Sequence, residues 1–549
     1  MYRWLCHRWS TGRHSGAAVA PQACWTVGRR DSASVRGKIA HKWAQNGHFA
    51  CPRGCATGSQ KAALSASVAA VTHPQLVSRR PGAAVAFLSA VCLAWAGGVP
   101  ASAQDPDPGR VDWSLVETIV SRIETPRIPD RDYPVVDFGG VADGARDTRP
   151  AILAAIARAS ADGGGRVVLS PGVWLSRGPI HLASHIELHL EPGSHLLFSP
   201  DAADYLPVVE TRWEGTRVLS YSPLIYAHDV EDVAITGPGT IDGNAQSKFH
   251  PWHPLADPDM QRLRRMGFSG VPLEERVFAE GTHLRPPLIQ LLRARRVLLD
   301  GYTAVNSPFW VNHLVYCQDV TVRNLRVESH FPNNDGVDVD SSRYVLVEDS
   351  TFRTGDDAVV VKSGRDLDGR TVAKPSEYVV VRGNDMGGED GIALGSEMSG
   401  GIRYVFFTDN VLRSGSSAIR FKANLDRGGT VEHIGVRRFE VGSFNRLFWF
   451  QLDYPGELGG NFPSTYRDLE FEDFRVGDVG TLFEAHAPAQ APLVDVVLRN
   501  VAVASAETTV ILENVEGLVF DDVTVAGEPV TLTTEPDAGA GAATAQSQP

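Results

Sequence analysis

Val320-Thr-Val322-Arg323-Asn324, Val345-Leu-Val347-Glu348-Asp349 and Val379-Val-Val381-Arg382-Gly-Asn384 repeat one phrase, a short β-branched run closed by Asn or Asp. The phrase extends upstream to Val233-Ala-Ile235 and Val297-Leu-Leu299. Downstream it continues through Val405-Phe-Phe407, Ile434-Gly-Val436, Leu469-Glu-Phe471 and Val494-Asp-Val496 to Leu518-Val-Phe520. Alternate residues of such a run share one face, and Asn or Asp suits the tight turn that follows it. A period of roughly 25 residues with no helical pattern between the runs predicts stacked β coils, one coil per rung. A propeller blade needs about four strands in 40–50 residues, which is longer than this repeat. The chain therefore reads as an all-β solenoid.

The stretch before the repeats differs. Asp147-Thr148 leads into Ala151-Ile-Leu-Ala-Ala-Ile-Ala-Arg158, with either residue a candidate N-cap and the apolar residues at helical spacing. An N-terminal capping helix is expected there, because an open solenoid end exposes unpaired strands and apolar surface. The predicted organisation has the solenoid over 131–534, a linker over 104–130 and a low-complexity, disordered tail over 535–549. Upstream, Arg79-Arg80, an apolar run from Ala83 to Ala96, and Ala101-Ser-Ala103 match a secretory signal over 77–103, cleaved before Gln104. Read as a buried or lipid-anchoring helix, the same run lacks a use for its small-residue ending. Residues 1–76 read as an extension upstream of the true start, with Val77 a candidate first residue.

Charge narrows the function. The formal net charge of -13 conceals twelve Lys/Arg against one acid, Asp31, in residues 1–103, so the remainder is strongly acidic. A nucleic-acid binder carries a basic footprint on a folded domain, and none is legible here. The apolar run is too short for stable membrane insertion. Cys6, Cys24, Cys51, Cys55 and Cys92 precede the predicted cleavage point, leaving Cys317 alone and no internal disulfide in the exported chain.

Acids concentrate at Asn333-Asn334-Asp335-Gly-Val-Asp338-Val-Asp340 and Gly355-Asp356-Asp357-Ala-Val-Val-Val-Lys362. Asp335 and Asp356 stand 21 residues apart, close to one rung, which predicts stacking on adjacent coils. Inverting glycoside hydrolysis needs one carboxyl to protonate the leaving oxygen and another to activate water, about 6.5–9.5 Å apart. Crowded carboxylates also raise at least one pKa, which keeps an acid protonated. Spacing alone leaves open a solvated acidic ridge or a calcium site.

Asn334-Asp335, Gly355-Asp356-Asp357 and Arg420-Phe-Lys422, in that order, resemble the motifs of the polygalacturonase and rhamnogalacturonase family of glycoside hydrolases, family 28. The resemblance runs from about Val136 to Val525 and implies a single-stranded, right-handed parallel β-helix that acts by inversion. It implies Asp356 as general acid, Asp335 and Asp357 as the pair that holds and deprotonates water, and Asn334 as a substrate contact. Arg420 and Lys422 resemble the cations that bind a galacturonate carboxylate, and Tyr454 a tyrosine that touches sugar. Glu389 stands where the family has histidine, which bears on the sugar accepted. Gly395-Ser-Glu397-Met-Ser-Gly-Gly401 resembles exo-acting bacterial members, in which insertions block one end of the cleft.

The expectation is a secreted or periplasmic hydrolase of pectic poly- or oligosaccharide, acting as a monomer from galacturonate ends without cofactor or metal. A rhamnogalacturonan or side-chain glycosidase, a non-catalytic carbohydrate-binding solenoid and a calcium-dependent lyase are the alternatives.

Overall fold

A computed structural model describes residues 111–534. The extension over 1–76, the signal over 77–103, the first part of the linker and the tail over 535–549 lie outside the described residues.

The repeated phrases form one sheet face, and each rung adds two more. In the phrase face, Val297 pairs with Val320, Val320 with Val345, Val345 with Val379 and Val379 with Val405, all in parallel register. The ladder continues through Ile434, Leu469, Val496 and Leu518. These side chains point inward and are almost fully buried. Each contributes about 1.5–3 kcal/mol of burial, and successive rungs sum it along a continuous core. The result is a right-handed parallel β-helix.

The corners explain the Asn and Asp. Asn324, Asp349, Asp409, Asn500 and Asp522 adopt left-handed backbone with φ between 49° and 59°, a region these side chains tolerate better than most. One residue further inside the turn, Asn384 donates its backbone N–H to Asn410 Oδ1 at 3.0 Å, and Asn384 Oδ1 accepts from Ser350 N at 3.0 Å. This buried amide ladder satisfies turn groups that would otherwise be orphaned.

Helix α1 (Leu115–Arg122) falls within the segment read as a linker, and from Val111 onward that reading is corrected. Val111, Val116 and Ile119 bury against Leu346, Val380 and Phe406 on the outside of the phrase face. Its buried residues Val116 and Ile119 lie on one helical side. They cover an external stack of Tyr344, Tyr378, Tyr404 and His433, whose ring centroids are 4.9–5.3 Å apart. Helix α2 (Arg149–Ala161) caps the first rungs with Ala151, Ile152, Ala155, Ile156 and Ala159 buried. Thr148 occupies the N-cap position, but its hydroxyl donates to Leu175 O at 2.8 Å, while Asp147 Oδ1 accepts from Arg149 N at 3.1 Å.

The face that matters for chemistry is built from Ile225–His228, Ile289–Leu292, Asn312–Val315, Val337–Asp340, Val359–Lys362, Asp390–Gly395 and the later rungs. A hairpin of Val209–Trp213 and Thr216–Ser220 lies across its outer side, flanked by α3 (Asp257–Phe268) and α4 (Asp366–Val372). Arg212 on that hairpin reaches Asp340 at 3.0 Å, and Trp213 stacks on Phe309 at 4.9 Å. Among the described residues, no helix is long and apolar enough to cross a membrane.

Candidate active site

The register of Val337 with Val359 and Val359 with Ile392 carries Asp335, Asp357 and Asp390 onto three successive rungs at one level. The ladder confirms it: Gly336 N donates to Asp357 O, and Ala358 N to Asp390 O, both at 3.0 Å. Asp356 sits one residue before that column. Asp335, Asp356 and Asp357 each place one oxygen within 4.8 Å of the others. The three carboxyl groups thus meet at one point of the cleft. The cause is geometric: two of the three share neighbouring rungs, and rungs are about 4.8 Å apart.

The three differ in surroundings. Asp335 and Asp357 are buried, at 2% and 1% exposure, whereas Asp356 is only partly covered. Asp356 Oδ2 accepts from Asn333 N at 3.1 Å and Oδ1 from Asp357 N at 3.1 Å. Asn333 holds a left-handed backbone (φ 62°), and its Oδ1 accepts from Arg285 Nη2 at 2.6 Å. Gly355 is required here, since a Cβ would meet Phe331 O at 2.3 Å, inside the turn that presents Asn333. Asp335 Oδ1 has no hydrogen-bond partner among the described residues. Burial, then the nearby Asp338 and Asp356, pushes the Asp335 carboxyl well above the usual carboxylate range. Burial also raises Asp357 to about 7, against the pull of Lys422, so the cluster retains a proton near neutrality and titrates as a unit.

Lys422 Nζ lies 2.9 Å from both oxygens of Asp357 and 3.5 Å from Asp390. Arg420 Nη1 donates to Asp390 at 2.9 Å, and its Nη2 to Gln451 Oε1 at 2.9 Å and Tyr454 Oη at 2.6 Å. The guanidinium lies 3.9 Å over the Trp449 ring. Arg420, Lys422 and Tyr454 thus converge beside the aspartates, with both cations engaged by the protein's own carboxylates. Glu389 is exposed at the rim; loss of water, then Asp356 and Asp390, raises its carboxyl pKa.

Asn334 is the one predicted contact that the structure turns away from the cleft. It is fully buried. Its Oδ1 accepts from Ser329 Oγ at 2.7 Å and Phe331 N at 3.1 Å, and its Nδ2 donates to Ser307 O and Phe309 O at 3.1 and 3.0 Å. Every hydrogen-bonding site on that amide is used to build the turn, so Asn334 supports the site from beneath and Asn333 faces it.

Sequence reasoning missed Lys362 as a member of the site. Its buried Nζ stands 3.7 Å from Asp335, 3.9 Å from Asp338 and 3.4 Å from Glu397, with the Trp310 ring at 4.7 Å. The alternation Val337-Asp338-Val339-Asp340 and Val361-Lys362 carried the signal, for polar residues at every second position of a strand must face outward together. Three carboxylates this close could bind a hard cation, but two ammonium groups already neutralise much of their charge.

Beyond Lys362 the cleft is walled. Arg365 pairs with Glu214 at 2.7 Å, and Arg427 with Asp366 at 2.6 Å and Glu397 at 3.4 Å. A Cβ on Gly215 would meet Glu397 at 2.8 Å, so the hairpin tip sits directly on the Ser396-Glu397-Met398 segment.

Comparison with known proteins agrees with this arrangement. The sequence model of glycosyl hydrolases family 28 matches residues 210–518. A hyperthermoactive exopolygalacturonase from Thermotoga maritima is 35% identical, with a TM-score of 0.73 over 78% of this chain and 99% of its own. "Probable polygalacturonase" of Vitis vinifera is 29% identical over 67% of this chain and 73% of its own length. An endo-polygalacturonase of Pectobacterium carotovorum subsp. carotovorum is 26% identical over 62% and 79%. With the family's motifs gathered in one cleft and a solved relative matched over almost its whole length, the chain is a glycoside hydrolase and belongs to glycosyl hydrolases family 28.

Proposed function

We propose that the protein hydrolyses α-glycosidic bonds of pectic polysaccharide from chain ends, with inversion and without a cofactor. The observation that carries the chain-end reading is the wall: hairpin, α3 and α4 cover the active face on one side of Asp335, where a continuous chain would have to pass. The similarity to the Thermotoga exopolygalacturonase supports the same reading.

Asp356, the most accessible of the three aspartates, protonates the leaving glycosidic oxygen as the C–O bond breaks. Asp335 and Asp357 together hold a water, whose oxygen attacks the anomeric carbon from the opposite side while its proton passes to the pair. Arg420, Lys422 and Tyr454 border the neighbouring sugar, and Glu389 its rim. Export to the periplasm or medium belongs to this proposal, supported by the Arg79 to Ala103 pattern.

Product analysis tests it. Pectic oligomers incubated with the protein should release short sugars with new reducing ends from the first minutes, without the absorbance of an unsaturated product. A ladder of intermediate lengths would refute chain-end attack, and unsaturation would refute hydrolysis.

A further inference from the structure

A separate cavity of about 530 Å³, the size of a small-ligand site, shares no lining residue with the aspartate cluster. Segments remote in sequence build it: Tyr221 at the end of the hairpin, Trp252 on the 3-10 turn His250–Leu255, and the loop from Glu280 to His283. Trp252 stands 5.5 Å from Tyr221 and 5.4 Å from His283, ring centroid to ring centroid, at 51° and 84°, so the three rings brace one another. Tyr221 is only 4% exposed, yet its hydroxyl has no hydrogen-bond partner among the described residues. A buried phenol is ordinarily paired, so this one is left for whatever enters the cavity. Burial, then the charge of Glu280, raises its pKa and keeps it a donor. Lys248, the one Lys or Arg lining the cavity, is already bonded by Asp201, and Glu280 is exposed at the rim. A carboxylate ligand would therefore find no free cation here. Sugar hydroxyls find acceptors in Glu280 and Asp201 and a donor in Tyr221, and the apolar C–H face of a sugar ring suits the partly open indole of Trp252.

We infer that this cavity is a second carbohydrate site, which takes an uncharged sugar through Trp252, Tyr221 and Glu280. It goes beyond the hydrolase reading above and does not depend on it. The turn that carries Trp252 also touches the loop that holds the acid: the His250 ring stacks on Phe331 at 3.8 Å, and Asn333, two residues on, donates its N–H to Asp356. The site thus holds its sugar beside the catalytic cleft and outside it.

Isothermal titration calorimetry of the whole protein with galactobiose, arabinobiose and rhamnose tests it, with galacturonate present in excess to fill the cleft. At least one of the three should bind with a Kd of about 1 mM or tighter. Trp252→Ala should weaken that binding about tenfold, and Tyr221→Phe, which removes the oxygen and keeps the packed ring, about threefold or more. Hydrolysis of trigalacturonate should stay within a factor of about two of native in Tyr221→Phe. A galactan titrated alongside separates the sources: binding of polymer and galactobiose marks a unit within a chain, binding of galactobiose alone marks a free sugar, and both support the site. No binding by any of the three, displacement by excess galacturonate, or a Kd unmoved in both variants overturns the inference. A protein that binds an uncharged sugar in this way yet hydrolyses no pectic oligomer defeats the proposed function and leaves this site standing.

Discussion

Lys362→Met removes the buried cation that four groups share. Nζ holds Glu397 at 3.4 Å, the Gly395 carbonyl at 3.3 Å, Asp335 at 3.7 Å and Asp338 at 3.9 Å. Breaking a buried pair by deleting one partner costs about 3–5 kcal/mol, because the other charge is stranded. Here Arg427 still reaches Glu397 at 3.4 Å, and Asp335 and Asp338 can take up protons, so the lower end applies. Unfolding entropy of about 2.1 cal/mol/K per residue over residues 111–534 gives roughly 0.9 kcal/mol/K, and the loss becomes a fall in Tm of about 3–4 °C. Met fills the stem's volume beside Trp310, so a cavity does not confuse the result. Asp335 loses its nearest cation and is pushed further up, so the alkaline limb of kcat/KM should move to higher pH. Calorimetry and a pH–rate profile read both effects. A Tm within about 1 °C of native, with an unmoved profile, would refute the claim that Lys362 holds the acid cluster together.

Asp356→Asn should lower kcat at least about 100-fold while oligomer binding and Tm persist, because the amide keeps the shape but cannot donate the proton; near-native turnover would remove Asp356 from the acid role. Activity requires a proton on the aspartate trio, and burial lifts Asp357 to about 7, so kcat/KM should fall as pH rises through about 7. Asp338→Asn deletes a negative neighbour that raises Asp335, so it should bring that limb to lower pH; no displacement would contradict the coupling. Burial would raise Glu210, but Arg293 and Arg217 outweigh it and lower its pKa from 4.5 to about 2, which after solvent screening of this half-open site is worth about 1 kcal/mol. A depressed folded pKa stabilises above the unfolded value and is lost as pH falls through the folded one. Glu210→Gln should therefore lose most stability at pH 7 and progressively less from pH 4.5 to 2, and a pH-independent loss would argue for packing instead.

The repeated phrases made the solenoid legible because each rung writes its own strand locally, and the amide corners wrote themselves as Asn and Asp. Asp335, Asp356 and Asp357 were legible because one rung of sequence is one step in space. The Asn334 contact came from a motif resemblance, which does not show which of two adjacent amides faces the cleft; the left-handed backbone at Asn333 decides that only in the folded turn. Lys362 and Asp390 looked like residues of a strand and a turn, since their meaning depends on partners 25–35 positions away, such as Glu397 and Arg420. The wall was less visible still. Glu214 meets Arg365, and Arg212 meets Asp340, across intervals over 100 residues long that no repeat relates. Helix α1 was hidden because its apolar residues dock on an outer aromatic stack that only the folded rungs create.

The stereochemistry of the first product tests the central claim most directly, since direct attack by water and a covalent intermediate release opposite anomers. Hydrolysis of an α-linked galacturonide oligomer, in free-acid or esterified form, is followed by proton NMR before the new hemiacetal mutarotates. Direct attack by a water gripped between Asp335 and Asp357, with Asp356 as acid, predicts that the β-anomer appears first. The α-anomer appearing first would mean a covalent intermediate on one of the aspartates and would contradict the account.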